Sequence, residues 1–166
     1  MELYFNDNFF SAGETQILDA SGGQSGTLDL HSAFSAALSV YGPDSALRCR
    51  GKFRFFSGKW EVTDGQGSML GVLRSRFTLF TKRYEYDAGR RGVFQIESPA
   101  FSKAYTILDS AGTEAASFDK TSNWLQSGAF RLRNHTTILD SYELIAVVMG
   151  VHSIQKTQAQ AANAAT

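Results

Sequence analysis

Between Tyr142 and Ile154 the chain reads YELIAVVMGVHSI, a segment that is apolar nearly all the way round when wound at about 3.6 residues per turn. A helix on a protein surface shows a polar face, so a helix of this kind has to be enclosed by something. Asp140 is a good N-cap, and Glu143, three residues on, completes a capping-box pattern that opens the helix at Ser141. The longest uninterrupted apolar run, Leu144 to Val151, is far shorter than the roughly 20 residues a bilayer-spanning helix needs. The enclosure is therefore expected to be the rest of the chain. The helix is predicted over residues 141–156. The Ala/Gln-rich tail 157–166 has no large apolar side chain and is either a frayed extension or disordered.

What can enclose a helix is suggested by a pattern that returns five times at intervals of about 20 to 25 residues. The units run Phe10 to Asp19, Phe34 to Asp44, Phe56 to Asp64, Phe80 to Asp87 and Phe101 to Asp109. Each opens on an aromatic anchor and a small polar turn, continues as a short alternating run and stops at an Asp, usually with Gly within three residues. That is a strand followed by a hairpin turn. Return strands follow at Met69 to Phe77, Val93 to Ile96 and Ala115 to Phe118. The units supply about ten strands, and the chain ends have room for two more. Asp19, Asp44, Asp64, Asp87 and Asp109 are assigned to turns, where a carboxylate accepts backbone N–H groups two residues on and Gly takes the left-handed position. A ring of carboxylates binding a cation is the competing reading, and turn chemistry outweighs it. Thirteen Phe, six Tyr and fifteen Gly against two Pro fit many short strands with tight turns. The fold expected is mainly β: a roughly 12-stranded barrel of repeated hairpins closed around one C-terminal helix, residues 1–156 forming a single domain. Closure would also remove the exposed sheet edges.

Sixteen basic and sixteen acidic residues give zero net charge, so no global field draws the chain to nucleic acid or membrane. The N-terminus lacks the basic and apolar regions of a secretory signal. A lone Cys49, with no metal-ligand spacing around it, points to a reducing compartment, hence the cytoplasm, and to no structural zinc. His31, His135 and His152 lie in unrelated contexts, and no nucleophile elbow, P-loop or His-Glu-x-x-His helix is present. The expectation is a protein without catalytic residues or cofactor. His152 is read as a core histidine bonded to a group near the barrel mouth, and Cys49 as a packing residue.

Serial units of the form Phe-Ser-x-x-Trp/Tyr-x-apolar-x-Asp-x-x-Gly, ended by the run from Ile138 to His152, resemble the tubby C-terminal-like superfamily. Among its branches they look most like the LURP-one-related one, which includes small bacterial members. The likeness spans about Phe9 to Ile154 and rests on the order and number of units. It implies a twelve-stranded barrel around a central hydrophobic helix, in a group that also contains tubby proteins and phospholipid scramblases. Tubby domains are associated with phosphoinositide headgroups, although no matching binding motif carries over residue by residue.

The most suggestive surface feature is a basic stripe. Period-two geometry from Leu47 to Phe55 sends Leu47, Cys49, Phe53 and Phe55 to one face and Arg48, Arg50, Lys52 and Arg54 to the other. Arg74 with Arg76, and Arg131 with Arg133, repeat the alternation on two further strands, and Lys82, Arg83, Arg90 and Arg91 could rim a shared cationic face. Anionic phospholipid headgroups suit such forked donors. The competing reading is a solvated barrel exterior. Parity turns the rings away from the cations, which argues against single-stranded nucleic acid. Three functions stay open: a peripheral anionic-lipid module, a protein-interaction domain with an exposed apolar patch, and an unrecognised enzyme or small-ligand binder.

Overall fold

A computed structural model of the chain describes residues 1–31, 37–77, 82–99, 103–121 and 129–164. Twelve strands form one closed barrel: β1 Glu2–Phe5, β2 Gly13–Leu18, β3 Gln24–Leu30, β4 Ala37–Tyr41, β5 Leu47–Arg54, β6 Lys59–Asp64, β7 Met69–Phe77, β8 Lys82–Asp87, β9 Val93–Glu97, β10 Tyr105–Leu108, β11 Glu114–Thr121 and β12 Ala129–Asn134. Each strand pairs antiparallel with its sequence neighbour, and β1 closes the ring by pairing with both β2 and β12. One helix, α1 Ser141–Ala164, follows β12. Among the described residues no helix is long and apolar enough to cross a membrane.

The twelve-strand barrel with one C-terminal helix is the architecture read from the sequence. From Leu144 to Val151 eight successive helical residues are buried, which covers every direction around the axis. A helix lying on a sheet would leave one side wet. The helix keeps its course beyond residue 156, as far as Ala164, and is exposed from Lys156 onward except at Gln158, which is half-buried and donates to Ser75 Oγ at 3.2 Å.

Close approach of helix and wall is made possible at one glycine pair. The Trp60 indole of β6 is wholly buried and is flanked by Gly51 of β5 and Gly150 of α1. A Cβ on Gly51 would fall 2.3 Å from Trp60 Cζ2, and one on Gly150 would fall 2.5 Å from Trp60 Cδ1. Two missing side chains thus make the slot for the largest ring in the core.

In an up-and-down barrel the hairpin turns alternate between ends. The near rim, where α1 starts, carries the connections β2–β3, β4–β5, β6–β7, β8–β9 and β10–β11. All five repeat-unit Asp residues sit there. Three of the turns share one pattern of backbone hydrogen bonds. Asp19, Asp64 and Asp109 each accept, on Oδ1, the N–H groups two and four residues on, at 2.8–2.9 Å. Each also donates its own N–H to the carbonyl four residues on. Gly22, Gly67 and Gly112, with φ of +85°, +89° and +79°, occupy the left-handed fourth position. The other two turns are shifted. Asp44 lies in the middle of the Gly42–Ala46 turn, where Ser45 takes φ +59°, and Asp87 precedes the Ala88–Gly92 turn while accepting from Gly89 N–H.

The aromatic anchors fare unevenly. Phe10 is partly buried against the core, Phe56 is fully exposed, and Phe34, Phe80 and Phe101 lie outside the described residues.

Candidate functional site

Two places on the barrel gather chemistry, and they lie at opposite ends. At the near rim the first turn of α1 inserts Glu143, 2% exposed, against the wall. Arg91, from the β8–β9 turn, grips it with both terminal nitrogens, each at 2.7 Å, and Tyr86 of β8 donates its hydroxyl at 2.5 Å. Arg91 also donates to the Leu70 carbonyl at 2.7 Å. The Glu143 carboxylate holds Arg91 above its usual range, while burial and the adjacent carboxylate push the Tyr86 hydroxyl far up, so that it stays a donor. The capping box expected from the sequence is not formed. Asp140 does cap, accepting the Tyr142 N–H at 2.8 Å, but both Glu143 oxygens are spent on Arg91 and Tyr86. A two-pronged guanidinium offers more to a carboxylate than one exposed backbone N–H does.

An open cleft of about 820 Å³ lies beside this cluster, with Cys49, Leu70, Ile138 and Tyr142 among its walls. Cys49 is buried, its thiol facing the Tyr142 carbonyl at 3.2 Å. Burial, with Glu143 and Asp140 adding to it, pushes that thiol well up and keeps it protonated.

The stripe residues are distributed as follows. Arg48, Arg50, Lys52 and Arg54 do point outward along β5. Arg74 and Arg76 lie on β7, two strands away, whereas Arg131 and Arg133 lie on β12, five strands from β5 by the shorter way round. The β12 pair therefore does not share a face with the four cations of β5, whereas the β7 pair lies beyond the single intervening strand β6. Most also have carboxylate partners: Arg48 with Asp44 at 2.9 Å, Arg54 with Glu61 at 2.9 Å, Arg74 and Arg76 both with Glu85, and Arg131 and Arg133 both with Asp119. Burial opposes ionisation of Glu85, but the hydrogen bonds and charges of Arg74 and Arg76 outweigh it and hold its carboxyl below the ordinary range. Arg50 and Lys52 have no ion-pair partner among the described residues.

The residues expected to rim the stripe are also divided. Arg90 and Arg91 belong to the near rim, with Arg91 committed to Glu143; Arg83 is at the other end, 3.4 Å from Glu97, and the Lys82 side chain lies outside the described residues. The histidines are scattered: His31 Nε2 lies 3.0 Å from Ser39 Oγ, His135 Nε2 lies 3.6 Å from Glu114, and His152 packs against Phe10 at 4.3 Å between ring centres, the rings tilted by 40°. Among the described residues its recorded neighbour is thus the Phe10 ring and not the hydrogen-bonding group expected.

The far rim holds the second place, which the parity argument missed. Phe55 was expected to point inward, but the strand ends at Arg54 and Phe55 lies in the turn, 68% exposed beside a fully exposed Phe56. The parity objection to stacked bases therefore holds for Phe53 and not for Phe55. The Ser57-Gly58 dipeptide that follows is the turn signal that could have placed both rings at the tip.

Zero net charge conceals a polarity along the barrel axis. Asp19, Asp44, Asp64, Asp87, Asp109, Asp140 and Glu143 place seven of the sixteen carboxylates at the near-rim turns and the start of α1, against three of the sixteen cations, Arg90, Arg91 and the Arg48 bonded to Asp44. The rest of the chain holds thirteen cations and nine carboxylates.

No protein family and no curated protein matches the chain in sequence. Its fold is shared with the crystal structure of a protein from Arabidopsis thaliana, AT5G01750, at a TM-score of 0.64 and 9% identity, covering 93% of this chain and 90% of that one.

Proposed function

We propose that this chain is a non-enzymatic tubby-like domain of the LURP-one-related kind that docks peripherally on anionic phospholipid, with β5 as its contact strand. The number and order of its hairpins and its single enclosed helix are those that the resemblance implies. The observation that carries the lipid reading is the pair Arg50 and Lys52. They are outward neighbours on one strand and have no carboxylate partner among the described residues, whereas the other six stripe cations all pair with carboxylates, Arg74 and Arg76 sharing Glu85 and Arg131 and Arg133 sharing Asp119. An unpaired guanidinium and ammonium on a rigid strand can meet headgroup phosphates without first breaking an ion pair. The absence of catalysis is supported by the separation of the three histidines and by a Cys49 thiol that burial keeps protonated.

The test is co-sedimentation with neutral, phosphatidylserine and phosphoinositide vesicles at low and physiological salt. The expected result is binding to the anionic vesicles that weakens as salt rises and is lost in an Arg50→Ser/Lys52→Ser variant. Wild-type protein that ignores every vesicle overturns the reading and moves the search to protein partners.

A further inference from the structure

The β5–β6 turn is built to hold two rings in water. Ser57 and Gly58 both donate their N–H groups to the Arg54 carbonyl, at 3.1 and 2.9 Å, and Gly58 takes φ +63°. The doubly bonded turn leaves Phe55 and Phe56 at its crest. Phe55 is met edge-on by Phe53 at 5.2 Å between ring centres, while Phe56 is fully exposed. Below the crest the outward residues of the hairpin are Lys52, Arg54, Lys59 and Glu61, with Arg54 and Lys59 directly opposite each other in the register. Three cations thus collar two exposed rings, and one carboxylate, already engaged by Arg54, offsets them.

We propose that this tip is a membrane anchor: Phe55 and Phe56 enter the boundary between headgroups and acyl chains while Arg54, Lys59 and Lys52 contact lipid phosphates, so that the barrel stands on its far rim. The inference rests on the lipid reading above and adds the part that inserts and the orientation it imposes. A protein partner is the other occupant such rings could have. The collar favours a fluid anionic surface, because a convex two-ring crest above cations matches the apolar-below, phosphate-above order of a bilayer interface. The axial polarity agrees, since it turns the carboxylate-rich near rim away from that surface.

Orientation has a measurable consequence. At about 3.3 Å per residue, Lys52 stands roughly 7 Å, Arg50 roughly 13 Å and Arg48 roughly 20 Å back from Arg54, where the strand ends just below the tip. The screening length at physiological salt is about 8 Å. Replacement by Ser should therefore weaken binding in the order Lys52, then Arg50, with no effect at Arg48. A barrel lying on its β5 face would instead make Arg50 at least as important as Lys52.

The experiment is vesicle partition of the full chain and a Phe55→Ser/Phe56→Ser variant on phosphatidylserine-containing vesicles, with thermal unfolding as the folding control. The variant is expected to unfold at the wild-type temperature and to bind ~10- to 100-fold more weakly, the share of burial lost with two rings. A Phe56→Trp variant should gain a blue-shifted emission component that brominated lipids quench, measured over the wild-type background of Trp60 and Trp124. If the double Phe variant binds like wild type while Arg50→Ser/Lys52→Ser is lost, the anchor is wrong and the lipid reading stands. If wild type binds no vesicle, both fall. Binding to a single-stranded oligonucleotide that depends on Phe55 and Phe56, without vesicle binding, would make the tip a base-stacking site and overturn the anchor.

Discussion

The two rims of the barrel are made from the same hairpins but treat their polar and apolar groups in opposite ways. At the near rim, three turns close on their own Asp carboxylates, Asp140 caps α1, and Glu143 is locked between Arg91 and Tyr86. At the far rim, Phe55 and Phe56 stand in water, and His152 is wedged against Phe10 near Lys103 and Lys156. The contrast separates a rim that fastens the helix from a rim left with surface to offer. Fastening belongs where the chain turns into its own core, because a helix start buried without partners would strand backbone donors.

The largest effect is expected from breaking the fastening. Glu143→Ala leaves a buried Tyr86 hydroxyl and the Arg91 guanidinium without their shared acceptor and should cost about 3–5 kcal/mol in denaturant unfolding. An unchanged midpoint would mean that the near rim is no more tightly held than the far one. Between the rims, Gly150→Ala tests the wedge of Trp60. In an exposed helix this change stabilises by about 1 kcal/mol, but a Cβ only 2.5 Å from the indole should reverse the sign and cost about 2–3 kcal/mol. A stabilised variant would show that the helix can slide away from β6.

At the far rim, burial first, then Lys103 and Lys156, lower His152 to about 4 from an ordinary 6.5. The unfolded chain therefore takes up this proton before the folded one does. The contribution of His152 is complete above about pH 6.5, is lost as pH falls toward 4, and changes no further below that. The difference should amount to about 3 kcal/mol, read as the gap between wild type and His152→Phe across a pH series of unfolding midpoints. Parallel profiles would show that the imidazole is protonated in place. Asp64→Ala removes the acceptor of two backbone N–H groups at the near rim and should cost about 1 kcal/mol, with local loss of hydrogen-exchange protection at Gln66 and Ser68. The smallest effect is predicted for Phe55→Ser/Phe56→Ser, within about 0.5 kcal/mol, because rings in water contribute little to folding. A larger loss would mean that the tip is part of the core rather than a free surface.

The sequence made the turns legible because their chemistry is local. Asp-x-x-Gly closes on itself within five residues, so Asp19, Asp64 and Asp109 behave as their spacing indicates. Asp44 and Asp87 illustrate the limit: each is at a turn, but Gly42 and Ala88 occupy the closing position. Parity was reliable along β5 from Arg48 to Arg54 and failed at Phe55, since alternation holds only while the strand lasts. Glu143 fitted a capping box by spacing, but a local pattern competes with partners that spacing cannot see, and Arg91 lies 52 residues away.

The helix without a polar face, the count of hairpins and the turn carboxylates were determined by the amino-acid sequence alone. They follow from periodicity and from what water will not tolerate on a helix surface. Tertiary structure decided the rest: which cations share a face, which carboxylates neutralise them, what Glu143 holds and where Phe55 and Phe56 point. Those outcomes depend on strand order and register, which bring together residues that no local pattern links.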